Sequence, residues 1–89
     1  MSRKIYQKKN FSIYQVSNGY IVHNVKKPFK IGHTHVNNYY KAKSIIDLAL
    51  RKKIPSKLNI WEIECLLRIT DDDSYKKELK ERSGVNGFN

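Results

Sequence analysis

Phe11-Ser12-Ile13-Tyr14-Gln15-Val16 and Tyr20-Ile21-Val22-His23-Asn24-Val25, joined by Ser17-Asn18-Gly19, form the stretch on which the fold turns. Both runs are rich in β-branched and aromatic residues, which suit a pleated, half-buried surface. Asn18-Gly19 accepts positive φ at both positions, the strongest short signal for a two-residue hairpin turn. A turn centred there pairs Val16 with Ile21, Tyr14 with His23 and Ser12 with Val25. One face then carries Tyr14, Val16, Ile21, His23 and Val25, and the other Phe11, Ile13, Tyr20 and Val22. Both faces are partly apolar, so the pattern leaves open which is buried, and the register is weakly specified. Residues 4–8, Lys4-Ile5-Tyr6-Gln7-Lys8, offer a third short strand. An isolated hairpin is marginal in water and needs helices packed on it.

The rest of the chain supplies those helices. Residues 26–37 read as a connector punctuated by Pro28 and Gly32. A helix is predicted from about Asn38 to Lys53, with Ala42, Ile45, Ile46 and Ala49 on one face and Asn37 or Asn38 as its cap. Ile54-Pro55-Ser56-Lys57 interrupts the chain. A second helix starts at Asn59 as cap, with Glu62 three residues on and Leu58 placed to staple to Ile63. From Ile60 to Ile69 it is apolar almost all round, the mark of a buried helix, with Trp61 as the largest core contributor. Thr70-Asp71-Asp72-Asp73 opens a third helix running to about Arg82, with only Tyr75 and Leu79 able to face a core. The expectation is an α+β fold: an N-terminal antiparallel β-hairpin, or three-stranded meander, packed on two helices with a third peripheral C-terminal helix. Residues 1–83 form one small basic domain and 84–89 a flexible tail.

Composition bounds the function. The 89 residues hold 18 Lys and Arg against 8 Asp and Glu, a formal charge of +10. The average hides an asymmetry. Residues 1–57 hold thirteen bases and a single acid, Asp47, whereas residues 58–89 hold five bases and seven acids. A one-sided surplus of this kind points to an anionic partner, and nucleic acid is the commonest. Phe, Tyr, Met, Ile, Asn and Lys, with AT-rich codons, supply 42 residues, and Gly, Ala, Arg and Pro only 12. That skew suggests a low-GC bacterium or one of its phages or plasmids. It inflates Lys, but it does not explain why acids avoid residues 1–57. No run approaches the roughly 20 apolar residues of a membrane span, so no membrane partner is expected. Met1–Gln7 lacks the apolar run of a signal peptide. One Cys cannot build a disulfide framework, which fits a reducing, cytoplasmic setting.

The motifs are few. Gly32-His33-Thr34-His35 resembles the last metal-binding segment of metallophosphoesterases, but their Asp-x-His, Gly-Asp and Gly-Asn-His-Asp segments are missing. His23, His33 and His35, with Cys65, offer nitrogen and sulfur ligands for zinc, at a spacing that matches no standard finger or ribbon. No metal and no other cofactor is therefore expected. The same loop, preceded by Lys26, Lys27 and Lys30 and leading into a helix start, offers an anion site, with Gly32 permitting close approach and Thr34 supplying a hydroxyl. No Ser/His/acid set has a recognisable context, so the protein is not expected to be an enzyme. A helix-turn-helix reader would use the third helix, whose consecutive Asp71, Asp72 and Asp73 repel phosphate. The surplus lies instead on the N-terminal strands, connector and first helix. There Lys4, Lys8, Lys9, Lys26, Lys27, Lys30, Lys41 and Lys43, with His33, Thr34 and His35, are the candidate nucleic-acid or anion contacts. Tyr6, Tyr14, Tyr20 and Tyr40 are the candidate stacking residues. The preferred expectation is a small non-catalytic module that binds DNA or RNA. The alternatives are a phage or plasmid accessory protein that regulates or inhibits a host protein, such as a nucleic-acid enzyme or defence nuclease, and a structural module that meets an acidic protein.

Overall fold

The hairpin forms, and it is the centre of a larger sheet. The structure is a computed structural model that describes residues 2–55 and 59–83. Leu58, with its expected staple, and the tail 84–89 lie outside the described residues. Four strands, β1 (Arg3–Lys8), β2 (Phe11–Val16), β3 (Gly19–Asn24) and β4 (His33–Val36), pair in sequence order as an antiparallel meander. Three helices follow: α1 (Tyr39–Arg51), α2 (Ile60–Ile69) and α3 (Asp73–Ser83). The fold is α+β, with the third strand supplied by β1 and a fourth where a connector was expected. None of the described helices is long and apolar enough to cross a membrane.

The register of the hairpin differs from the one Asn18-Gly19 suggested. Val16 pairs with Gly19, Tyr14 with Ile21 and Ser12 with His23, so the two-residue turn is Ser17-Asn18. Neither turn residue has positive φ. The special conformation belongs to Gly19, at φ +147, where a Cβ would stand 3.0 Å from the Val36 carbonyl oxygen. Gly19 is therefore needed where β3 begins beside the end of β4. The shift is two residues, so the face assignments survive it. In β1 the pairing jumps from Lys4↔Tyr14 to Tyr6↔Ile13, leaving Ile5 as an extra residue in a bulge.

All three helices lie on one side of the sheet. Phe11, Ile13, Val22 and Val36 turn inward to meet Ala42, Ile45, Ile46 and Ala49 of α1 and Ile63, Cys65, Leu66 and Ile69 of α2. Tyr75 and Leu79 of α3 complete that core from outside, as their spacing indicated. Asn38 caps α1 by accepting the Lys41 N–H at 3.1 Å, and Asn59 caps α2 through the Glu62 N–H at 3.3 Å. Asp72 caps α3 through the Tyr75 N–H at 2.9 Å and pairs with Lys52 at 3.2 Å. The Tyr75 N–H first, and Lys52 second, hold the Asp72 carboxyl below the usual carboxylate range.

Trp61 is not the centre of the core. It is 40% exposed, with Ile60 beside it at 47%. A helix this apolar reads as buried all round, but α2 covers only the β4 side of the sheet and leaves its first turn at the surface. One polar side chain is built into the interior instead. Asn24 is fully buried. It donates to the Ile69 carbonyl at 2.8 Å and accepts from Asn10 at 2.9 Å and from the Lys26 N–H at 3.0 Å. It thereby joins the end of β3, the β1–β2 turn and the end of α2.

Candidate nucleic-acid interface

With the helices on one side, the other sheet face is left to solvent. Alternation along each strand decides what that face displays. Register places Lys4, Tyr14, Ile21 and His35 in one cross-strand row, and Gln7, Ser12, His23 and His33 in the next. The β3–β4 loop folds so that Phe29 stacks on His33, with ring centroids 4.4 Å apart and planes within 6°. Phe29 also meets the His23 ring edge-on at 5.2 Å, and His33 meets His35 at 5.2 Å. Two backbone contacts fix the imidazoles. His33 Nδ1 donates to the Phe29 carbonyl at 2.6 Å, and His23 Nε2 donates to the Lys27 carbonyl at 3.0 Å. The result is a patch of aromatic and imidazole rings on a rigid sheet. Beneath it, Ser12 Oγ is buried with no hydrogen-bond partner among the described residues.

The loop is held from both ends. Asn24 N–H donates to the Gly32 carbonyl at 2.9 Å, and the Ile31 and Gly32 N–H groups both donate to Pro28. Gly32 is required because a Cβ there would lie 2.5 Å from Lys27 Cβ. The close approach it allows is that of the Lys27 side chain and not of a phosphate. Lys27 Nζ reaches the Thr70 carbonyl at 3.2 Å and the Arg68 carbonyl at 3.4 Å, a cation at the negative end of α2. Burial, then repulsion from Lys76, lowers its pKa.

The expected anion loop is thus a strand, and its residues part company. Thr34 points inward, is 1% exposed, and donates to Cys65 Sγ at 3.3 Å. It is not available to a surface anion. His33 and His35 point outward. Cys65 lies on the opposite side of the sheet from the histidines, and burial pushes its thiol pKa up. Among the described residues no group of three or more His, Cys, Asp or Glu is arranged to hold a metal ion.

The stacking candidates divide in the same way. Tyr14 lies on the open face. Tyr6 and Tyr20 lie on the helix side, where both pack on Tyr39 at 6.3 and 5.8 Å. Lys43 stands 5.2 Å from the Tyr6 ring, and Lys41 stands 5.5 Å from that of Trp61. Tyr40 is 76% exposed on α1, away from the open face. Lys4 lies on the open face, its ammonium donating to Gln7 at 2.8 Å. Lys9 sits in the β1–β2 turn at φ 54, and Lys26 and Lys30 are exposed on the β3–β4 loop. Lys8 faces the helix side of the edge strand. Phe29 and Trp61 were not marked as surface groups by sequence. Phe29 carried a signal, an aromatic set among Lys26, Lys27 and Lys30.

Charge follows the layers. The sheet, its turns and the β3–β4 loop hold Arg3, Lys4, Lys8, Lys9, Lys26, Lys27 and Lys30 and no acid. Every acid belongs to a helix or to the α2–α3 joint. The ion pairs Asp47–Arg51, Lys52–Asp72 and Glu78–Arg82 all lie in that helical layer. Comparison with protein-family models, curated proteins and solved structures gives no match, so geometry and charge carry the functional reading.

Proposed function

We propose that the protein binds single-stranded nucleic acid across the open face of its sheet. The observation that carries this reading is the acid-free sheet layer whose exposed face bears stacked rings. Bases stack on Tyr14, Phe29, His33 and His35, each with a π face that tolerates any base. Lys4, Lys9, Lys26 and Lys30 neutralise phosphates along the strand. The helical layer, which holds all eight acids, faces away and favours one orientation of the partner.

The test is anisotropy of a labelled single-stranded oligonucleotide across a salt series. With about four phosphates neutralised, log K falls with log salt at a slope of about −3. Between 50 and 200 mM salt that slope corresponds to an affinity loss on the order of 50-fold. Tyr14→Ala weakens binding by about 1–3 kcal/mol. Absence of binding at low salt, or binding that ignores salt, overturns the proposal.

A host-protein partner is the second reading. It is favoured by Val25, Phe29 and Ile31, exposed together on the β3–β4 loop. Capture of one protein that survives nuclease treatment, with no oligonucleotide binding, would decide for it.

A further inference from the structure

We propose that a second element of the interface is a cleft at the edge of β4 that receives one unstacked nucleobase with its phosphate. This rests on the reading of the open face as a nucleic-acid surface. Trp61 at the start of α2 and Tyr20 of β3 line a cavity of about 460 Å³. That volume falls within the roughly 300–1,000 Å³ of small-ligand sites. The polar lining comes from Asn18, Asn37, His35 and Lys41.

Each group has a use. The exposed indole offers a stacking surface, and Lys41 Nζ, 5.5 Å from its centroid, puts a cation within reach of the phosphate of a base lying there. Asn18 and Asn37 are exposed carboxamides, each a donor and an acceptor for a base edge. Gly19 positions one of them: its close approach to the Val36 carbonyl brings the β2–β3 turn against the end of β4, where Asn37 follows. None of the lining residues is acidic. His35 belongs both to the open face and to the cleft. The rings Phe29, His33 and His35 therefore form a continuous path that leads over the β4 edge to the cleft.

Trp61 is the one tryptophan of the chain, so its emission reports this cleft alone. The experiment titrates the full chain with a short single-stranded oligonucleotide and, separately, with nucleoside monophosphates. Trp61 emission and the anisotropy of the labelled oligonucleotide are followed in parallel. The expected result is saturable quenching with the same midpoint as the anisotropy, and affinity about tenfold lower in Trp61→Leu. Lys41→Gln, at an exposed position, weakens binding at low salt and less at high salt. Quenching by monophosphates as tight as by the oligonucleotide also supports the cleft and makes a free nucleotide its source. Anisotropy that saturates with unchanged emission, and with both variants binding like the parent, overturns the cleft and leaves the open-face reading standing. No response in either signal overturns both.

Discussion

Asn24→Ala is expected to destabilise the protein more than any surface change in the sheet layer. Asn24 is fully buried and serves three partners. The costliest loss is the 2.8 Å bond to the Ile69 carbonyl, which becomes an unsatisfied acceptor inside the fold. Leaving such a group orphaned costs about 1–3 kcal/mol. The bonds from Asn10 and the Lys26 N–H lie nearer solvent, and water replaces part of them, so about 0.5–1 kcal/mol each is the fitting figure. The total is about 2–5 kcal/mol, a large share of the roughly 5–15 kcal/mol by which domains are stable. At about 4–8 °C per kcal/mol for a chain of this size, Tm falls by about 8–40 °C in a circular-dichroism melt. Asn24→Asp separates the contributions. It keeps the acceptor for Asn10 and Lys26 but sets a carboxylate oxygen against the Ile69 carbonyl. It is therefore destabilised at neutral pH and recovers on acidification, when a protonated carboxyl can donate again. A Tm within about 3 °C of the parent for Asn24→Ala, or an Asn24→Asp variant as stable as the parent at neutral pH, would refute the reasoning.

Ser12→Ala is expected to raise Tm by a few degrees, because Ser12 Oγ is buried without a partner among the described residues and its removal relieves about 1 kcal/mol of desolvation; a clear drop in Tm counts against it. Cys65 is expected to resist a thiol reagent in the native state at mildly alkaline pH and to react at once in denaturant, since it is 3% exposed and burial raises its pKa. Rapid native labelling would contradict that. Tyr75→Phe removes the 2.6 Å hydrogen bond to the Lys53 carbonyl and costs about 1–1.5 kcal/mol in denaturant melts. Burial, with Glu78 second, raises the Tyr75 pKa, so the neutral phenol is the folded form. Its stabilisation is complete below the ordinary phenol range and is lost as pH rises from there through the raised folded-state value, a loss that Tyr75→Phe should not show.

How far the fold was legible follows from the length over which each signal ran. The α1 stripe of Ala42, Ile45, Ile46 and Ala49 repeats at helical spacing and lands on the sheet as read. The caps are local chemistry: Asn59 is seen as read, and of the two offered for α1, Asn37 and Asn38, the structure takes Asn38. Strand β4 was missed because it is four residues long and stands behind Pro28 and Gly32, which read as loop punctuation. Its alternation, His33 and His35 out with Thr34 and Val36 in, is visible only once β3 supplies a partner. Trp61 was misplaced for a related reason. The apolar character of Ile60–Ile69 says that the helix packs, but where the sheet ends decides which of its turns is covered. The same holds for Lys27: sequence shows a cation in a basic run, and only the fold brings the end of α2 to it.

The candidate site shows the same division between what a count can say and what pairing adds. Charge along the chain already showed an acid-poor basic stretch, and the fold gathers residues 3–37, which hold no acid, into the sheet layer. The strands, their turns and the β3–β4 loop hold seven of the eighteen bases and no acid, while the rest of the chain holds the other eleven with all eight carboxylates and pairs several of these internally. Sequence put Tyr14 and Tyr20 on opposite faces of the hairpin but left open which face is buried, so Tyr6, Tyr14, Tyr20 and Tyr40 stood as equals. Pairing resolves them. A bulge at Ile5 turns Tyr6 inward, and Tyr20 joins it against Tyr39. Tyr14 alone of the four stays on the open face, and Phe29, His33 and His35 take the places the others were expected to fill. A ring patch on a rigid sheet, beside cations with no carboxylate in their own layer, has the two ingredients that binding an unpaired strand requires: stacking for the bases and charge for the backbone. The helix side of the same molecule has rings as well, but they are packed on one another and share their layer with acids. For that reason the open face, and not the tyrosine cluster around Tyr39, is where the proposed function is placed.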